Sequence, residues 1–259
     1  MKTKLLQELG KMSLFSLGIY TALFIVLYAM EWALPELRGT LLQWSSKAFC
    51  VGIPASVFGT AYVLTIRNPQ NYTGFYFGIV MALLLSLQFY YQGNYDLVVL
   101  YLCLFIPFLT ASIVNWQKGS GKADDFAPSF IGWGSFLLTM LISTAMMAGD
   151  YALCTLVLYR DGWSDQVLFK LLSGGMIVTA VMANFWMIFR KNDAWLAWVL
   201  YSIVGIAFYI LMKNLFSLIL FVVFLVVNGQ AQFAWLRQTP DNRFGWAGTE
   251  RYIRKLRRR

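Results

Sequence analysis

Histidine is absent from this 259-residue chain, and only 13% of its residues are charged, against about a quarter in an ordinary soluble domain. Without histidine, the easiest general base and a common metal ligand are both missing. Cysteine is sparse as well. Cys50, Cys103 and Cys154 each sit in an apolar run with no Cys-x-x-Cys spacing, so neither a disulfide framework nor a zinc site is indicated. There is no Gly-rich phosphate loop and no nucleophile motif. These absences argue against a soluble enzyme, and no catalytic residue, metal or cofactor is expected.

What the chain has in quantity is apolar and aromatic side chain: 59% of residues are hydrophobic, with 10 Trp, 14 Tyr and 21 Phe. Its net charge of +9 is of the sign that nucleic-acid binding uses. However, the basic residues gather at the ends of apolar runs and after Arg237, where they act as orientation signals in a bilayer. A lipid bilayer is the expected partner, and nucleic acid is not.

A charged side chain at the bilayer centre costs about 2.5 to 3.5 kcal/mol even on a mild scale, so charge-free runs mark the spans. These runs are Met12–Met30, Ala48–Ile66, Tyr72–Gln92, Leu97–Gln117, Phe126–Gly149, Leu171–Phe189, Ala194–Met212 and Asn214–Leu236. Each is close to the roughly 20 residues an α-helix needs to cross the hydrocarbon layer. The reading is an all-α integral membrane protein with eight transmembrane helices. The first run is too long for a signal-peptide core and ends without a small-residue cleavage site, so it reads as a retained helix. With the N-terminus inside, the inner connections hold Lys2, Lys4, Lys11, Arg67, Lys118, Lys122, Arg190, Lys191 and the basic residues from Arg237 onward. The outer ones hold Arg38, Lys47, Arg160, Lys170 and Lys213. This asymmetry predicts that both termini are cytoplasmic, in a cytoplasmic (inner) membrane.

Shifting the chain by 121 residues aligns Asn71 with Asn192 and Gln88 with Tyr209, together with the helices around them. The resulting organisation is 1–47, an N-terminal end and extra helix; 48–117, a three-helix repeat; 118–165, a linker helix; 166–238, a second three-helix repeat; and 239–259, a basic cytoplasmic tail. One intervening helix leaves the two repeats parallel, the 3+1+3 arrangement of SWEET-like carriers.

The spans carry amides where charges are missing. Gln88 and Gln92 are four apart on one helix, Asn228 and Gln232 four apart on another, and Asn184 stands alone in a third. Amides can simply join packed helices, for typically about 0.6 kcal/mol each. Five in three helices also suit a ligand rich in hydroxyls within a dry cavity.

The stretch Leu87-Gln88-Phe89-Tyr90-Tyr91-Gln92-Gly93-Asn94-Tyr95-Asp96, followed by a helix ending Asn115-Trp116, resembles the Pnu family of vitamin transporters. Lys191-Asn192-Asp193-Ala194-Trp195-Leu196-Ala197-Trp198 is similar to that family's Asn and Trp-x-x-Trp segment, and Lys213-Asn214-Leu215-Phe216 to its turn into the last helix. The likeness runs from about residue 48 to 238. The closing Gln230-Ala231-Gln232-Phe233-Ala234-Trp235 departs from the usual Gly-Tyr ending. The resemblance implies facilitated diffusion of nicotinamide riboside for NAD biosynthesis, with trapping by cytoplasmic phosphorylation; thiamine or riboflavin are the substrates of relatives. The other open reading is a non-transporting scaffold or receptor.

Trp195 and Trp198 share a face and carry the family motif, so they join the candidate substrate-binding set of Gln88, Gln92, Asn184, Asn228 and Gln232. Trp186 reads as a member of the interfacial aromatic belt. Asp96, at the start of a span, reads as a helix cap. The exposed flank of the extra first helix permits a homo-oligomer.

Overall fold

The computed structural model describes residues 2–34, 36, 46–68, 71–118, 128–153, 155–156, 167–212 and 215–238. Helices follow one another as α1 (Lys2–Ala33), α2 (Lys47–Ile66), α3 (Gly74–Gln92), α4 (Tyr95–Lys118), α5 (Trp133–Leu153), α6 (Val167–Ile188), α7 (Asp193–Leu211) and α8 (Leu215–Gln238). The last seven are long and apolar enough to cross a membrane, whereas the apolar stretch of α1, Leu17–Ala33, is shorter. The tail 239–259, the cations Arg38, Lys122, Arg160 and Lys213, and also Cys154 and Asn214, lie outside the described residues.

The side chains of α5 reverse the soluble pattern. Its buried residues are Thr139, Ser143 and Asp150, while Leu137, Leu138 and Leu141 point outward and are exposed. An apolar surface of that kind belongs against lipid. The chain is a multi-pass membrane protein whose outward face on α5 is apolar.

Helix neighbours come in matching pairs. Within 48–117, α2 packs on α3 and α3 on α4; within 166–238, α6 packs on α7 and α7 on α8. The two groups meet where α2 touches α8 and where α4 touches α6. Outside them, α1 lies on α2 and α5 on α6, each seam bridged by a threonine hydroxyl. Tyr20 Oη and Thr60 Oγ1 are 3.0 Å apart, and Trp186 Nε1 donates to Thr139 Oγ1 at 3.2 Å.

Local chemistry sets the helix ends. Ser46 caps α2 by accepting from Phe49 N, and Gly93 closes α3 at φ 73°, a left-handed conformation that glycine adopts freely. Inside α4, residues Leu100–Phe105 widen into a π-turn just before Pro107. Proline has no N–H and crowds the carbonyl four residues back, and a π-turn is one way to absorb that misfit.

Three readings from sequence are corrected. Asp96 is not at the N-cap of α4, which is Asn94: it is fully buried in the first turn, where its Oδ2 accepts from the Ser173 hydroxyl of α6. Trp186 is not in an interfacial belt, because it is 3% exposed and turned inward onto Thr139. And α5 begins at Trp133 rather than Phe126, because the strand-like residues before it pair with the α6–α7 turn. Ser129 N donates to Arg190 O at 3.3 Å, and Asn192 N to Ser129 O at 2.8 Å.

Candidate functional site

The seam between the two helix groups is filled with rings. Tyr62 of α2, Phe89 of α3, Tyr101 and Phe105 of α4, and Trp198, Tyr201 and Tyr209 of α7 are all buried. Phe89 stacks on Tyr101 at 5.6 Å and on Tyr209 at 6.4 Å. Trp198 stands 5.3 Å from Tyr201, 5.7 Å from Phe105 and 6.5 Å from Tyr62. The hydroxyls of Tyr101 and Tyr201 are hydrogen-bonded to each other. The π-turn of α4 carries Tyr101 and Phe105, so the irregular helix segment lies against Trp198.

Amides border this ring core. Gln88 donates from Nε2 to Ser217 Oγ at 3.1 Å. A Cβ at residue 52 would come within 3.1 Å of the Gln88 amide, so Gly52 is what lets α2 approach it. Asn228 donates from Nδ2 to Ser202 Oγ at 3.1 Å and to Trp198 O at 3.3 Å. Gln232 follows one turn along α8 and is half-buried. Trp195, fully buried, meets Trp235 edge-on at 5.5 Å.

Seven buried polar atoms here have no hydrogen-bond partner: Gln88 Oε1, Asn228 Oδ1, Gln232 Oε1, Trp195 Nε1, Trp198 Nε1, Tyr62 Oη and Tyr209 Oη. Such an atom costs about 1 to 3 kcal/mol of lost solvation when left unsatisfied, and most native buried groups avoid that state. Gln88 and Asn228 still join helices through their amide nitrogens, and it is their oxygens that are left over. The seven atoms present acceptors and donors without spending them on the protein itself.

The sequence-derived set therefore divides. Gln88, Trp195, Trp198, Asn228 and Gln232 supply five of the seven atoms. Asn184, though buried, donates to Ala180 O of its own helix at 2.9 Å. Gln92 is half-buried at the end of α3 and accepts from Asn94 at 3.5 Å. Tyr62 and Tyr209 were missed, as were Tyr101 and Tyr201. A tyrosine well inside a span, away from the interfaces where that residue is enriched, was the available signal: Tyr201 lies near the middle of Asp193–Leu211.

Two cavities lie toward opposite ends of the α5–α6 pair, and none of the seven sequence-derived residues lines either of them. One, of about 590 Å³, is bordered by Asn115, Ser129, Thr139, Trp186, Arg190 and Lys191 among others. The other, of about 530 Å³, is bordered by Asp150, Lys170 and Ser173, so it adjoins the Ser173–Asp96 hydrogen bond. Among the described residues no group of three metal-ligating side chains is found.

Comparison with known proteins fits this architecture. The model of a family described as nicotinamide mononucleotide transporter matches residues 50–237. A solved structure, the crystal structure of the vitamin B3 transporter PnuC, superposes with a TM-score of 0.60 at 18% identity, covering 87% of this chain and 89% of that one. No curated protein sequence matches. At that identity the superposition establishes a shared fold. The family match spans most of the chain, and with it the ring core and its amides: the chain belongs to the nicotinamide mononucleotide transporter family, a family of membrane transporters and not of enzymes.

Proposed function

We propose that this protein is a vitamin B3 transporter and, more finely, a uniporter that imports nicotinamide riboside, which is then trapped by phosphorylation in the cytoplasm. The observation that carries this reading is the set of seven unsatisfied buried polar atoms around a ring core, in a chain of a transporter family. A pyridinium ring would gain about 0.5 to 2 kcal/mol or more against desolvated aromatic faces, and its ribose hydroxyls would use the amide and indole groups. Gln88, Trp195, Trp198, Asn228 and Gln232 form the proposed contacts. Gln92 and Asn184 are added at the margin, Asn184 by exchanging Ala180 O for the ligand.

The core favours the riboside over its mononucleotide. The cations that meet rings do so outside this core, Lys47 over Tyr91 and Arg190 over Trp116, and a buried phosphate dianion without a counter-charge is strongly disfavoured. The paired packing of α2–α4 and α6–α8 suits two parallel repeats that rock about this seam, with α1 as an eighth span and both termini cytoplasmic. Thiamine or riboflavin as substrate, and a non-transporting scaffold or receptor, are the alternative readings.

Binding to purified protein separates these readings. Nicotinamide riboside is expected to bind, with thiamine and riboflavin at least about tenfold weaker. Gln88→Ala is expected to weaken riboside binding by about tenfold, as loss of one or two good hydrogen bonds implies. Equal affinity for the three vitamins would remove the substrate assignment, and the absence of any binding would leave the receptor or scaffold reading.

A further inference from the structure

The larger cavity carries charge that the ring core lacks. It lies where α6 ends and α5 begins, and two cations line it, Arg190 and Lys191. Arg190 is held in the left-handed region at φ 52°, which an arginine rarely adopts. Its guanidinium donates to Trp116 O at 3.0 Å and lies 5.1 Å from the Trp116 ring. These two contacts with Trp116 hold the charge in place. Lys191 Nζ reaches across to Ser129 Oγ at 2.8 Å, so the second cation is anchored from the neighbouring segment.

Around these cations the wall mixes hydroxyls with apolar and aromatic side chains. Ser129 and Ser135 supply hydroxyls and Trp186 supplies a ring, while the Thr139 hydroxyl is spent, donating to Ser135 O at 2.7 Å and accepting from Trp186 Nε1. Ser135 falls in the first turn of α5, whose N-terminal dipole favours an anion. Among the described residues lining the cavity there is no carboxylate. Asp193 stands behind the wall, where its Oδ2 accepts from Ile131 N at 2.7 Å and partly offsets Lys191. A volume of about 590 Å³ fits a small molecule.

We propose that this cavity is a binding site for a phosphate ester, with the phosphate on Arg190 and Lys191 and an attached ring against Trp186. It shares no residue with the ring core, and only the choice of ester rests on the proposed import of a nucleoside. In the proposed topology it opens at the cytoplasmic end, where the phosphorylated form of an imported nucleoside would be found. A phospholipid headgroup offers the same chemistry from a second source.

The test uses the full chain in nanodiscs of zwitterionic phosphatidylcholine and measures nicotinamide mononucleotide and nicotinamide riboside binding side by side. Lys191→Gln is expected to weaken mononucleotide binding about tenfold, the effect of losing one charge-assisted contact, and to leave riboside binding unchanged. Ser135 is exposed, so Ser135→Glu should fold, and its added carboxylate is expected to weaken the mononucleotide at least as much. Phosphatidylglycerol discs identify the source. If they displace the mononucleotide from the wild type and do so less from Lys191→Gln, the headgroup occupies the site; if they leave it bound, the soluble ester does. Mononucleotide affinity that neither substitution changes, or no mononucleotide binding in either lipid, overturns the proposal. Loss of riboside binding alone counts only against the core assignment.

Discussion

Trp198→Ala is expected to abolish measurable nicotinamide riboside binding, raising Kd about a hundredfold or more. Two losses combine. The ring that stands within 6.5 Å of Tyr62, Phe105 and Tyr201 disappears, and so does the buried Nε1–H that has no protein partner. Aromatic contact with a cation and a hydrogen bond to a charged or polar ligand together account for about 3 kcal/mol, or two decades in affinity. Truncating so large a side chain also opens a void, so a subtler pair separates binding from folding. Trp198→Phe keeps a ring and removes the donor, and is expected to weaken binding about tenfold. Tyr62→Phe removes a hydroxyl that is buried without a partner. The unliganded protein should then melt no lower than the wild type, and up to about 1 kcal/mol more stable, while affinity falls. If Tyr62→Phe instead lowers the melting temperature and leaves affinity unchanged, the hydroxyl serves packing and the ligand reading fails there.

The second large effect is on folding. Gly205→Ala is expected to prevent recovery of folded, monodisperse protein, because a Cβ at that position would collide with the Phe221 ring of α8. Phe221 has little room to retreat: it is fully buried, with Tyr209 at 4.9 Å, Tyr201 at 5.3 Å and Phe224 at 5.6 Å. Forcing extra volume into such a site costs about 1 to 3 kcal/mol or more. Close approach at a small residue is also what holds membrane helices together, since lipid offers no hydrophobic drive for association. Phe221→Leu in the same chain is expected to restore much of the yield. A Gly205→Ala protein that purifies and melts like the wild type would show that α7 and α8 separate easily.

How far the sequence could reach follows from which signals are local. Missing charge located the spans, and α2, α3 and α6 to α8 begin and end within about four residues of the charge-free runs. The same rule misplaced Asp96, because it assumes that a carboxylate stays outside. Here one is buried by a hydroxyl 77 residues away, Ser173. It also began α5 too early, because Ser129 and Ile131 are held by the α6–α7 turn, a contact no run of apolar residues reveals. Helical spacing placed Trp195 and Trp198 on one face and Asn228 and Gln232 on another. Spacing could not tell that Asn184 spends its amide on Ala180 O, nor that Tyr62 and Tyr209 come from different helices into one core. Single tyrosines in apolar runs have no period to read.

The buried carboxylates bear on the mechanism. Asp96 and Asp150 both lie toward the end of the bundle that holds the 530 Å³ cavity, and neither belongs to the ring core. An ion-coupled carrier must bind its ion differently in its two states, ordinarily through groups in the substrate path. With an uncharged core, transport is expected to be downhill.

Uptake of nicotinamide riboside by purified protein in sealed liposomes tests this most directly. Without a kinase, the internal concentration is expected to rise to the external one and stop there, at the same level with or without an imposed proton or sodium gradient. It is expected to pass that level only when a riboside kinase and ATP are enclosed. Accumulation above the external concentration in kinase-free liposomes, driven by either gradient, would contradict it.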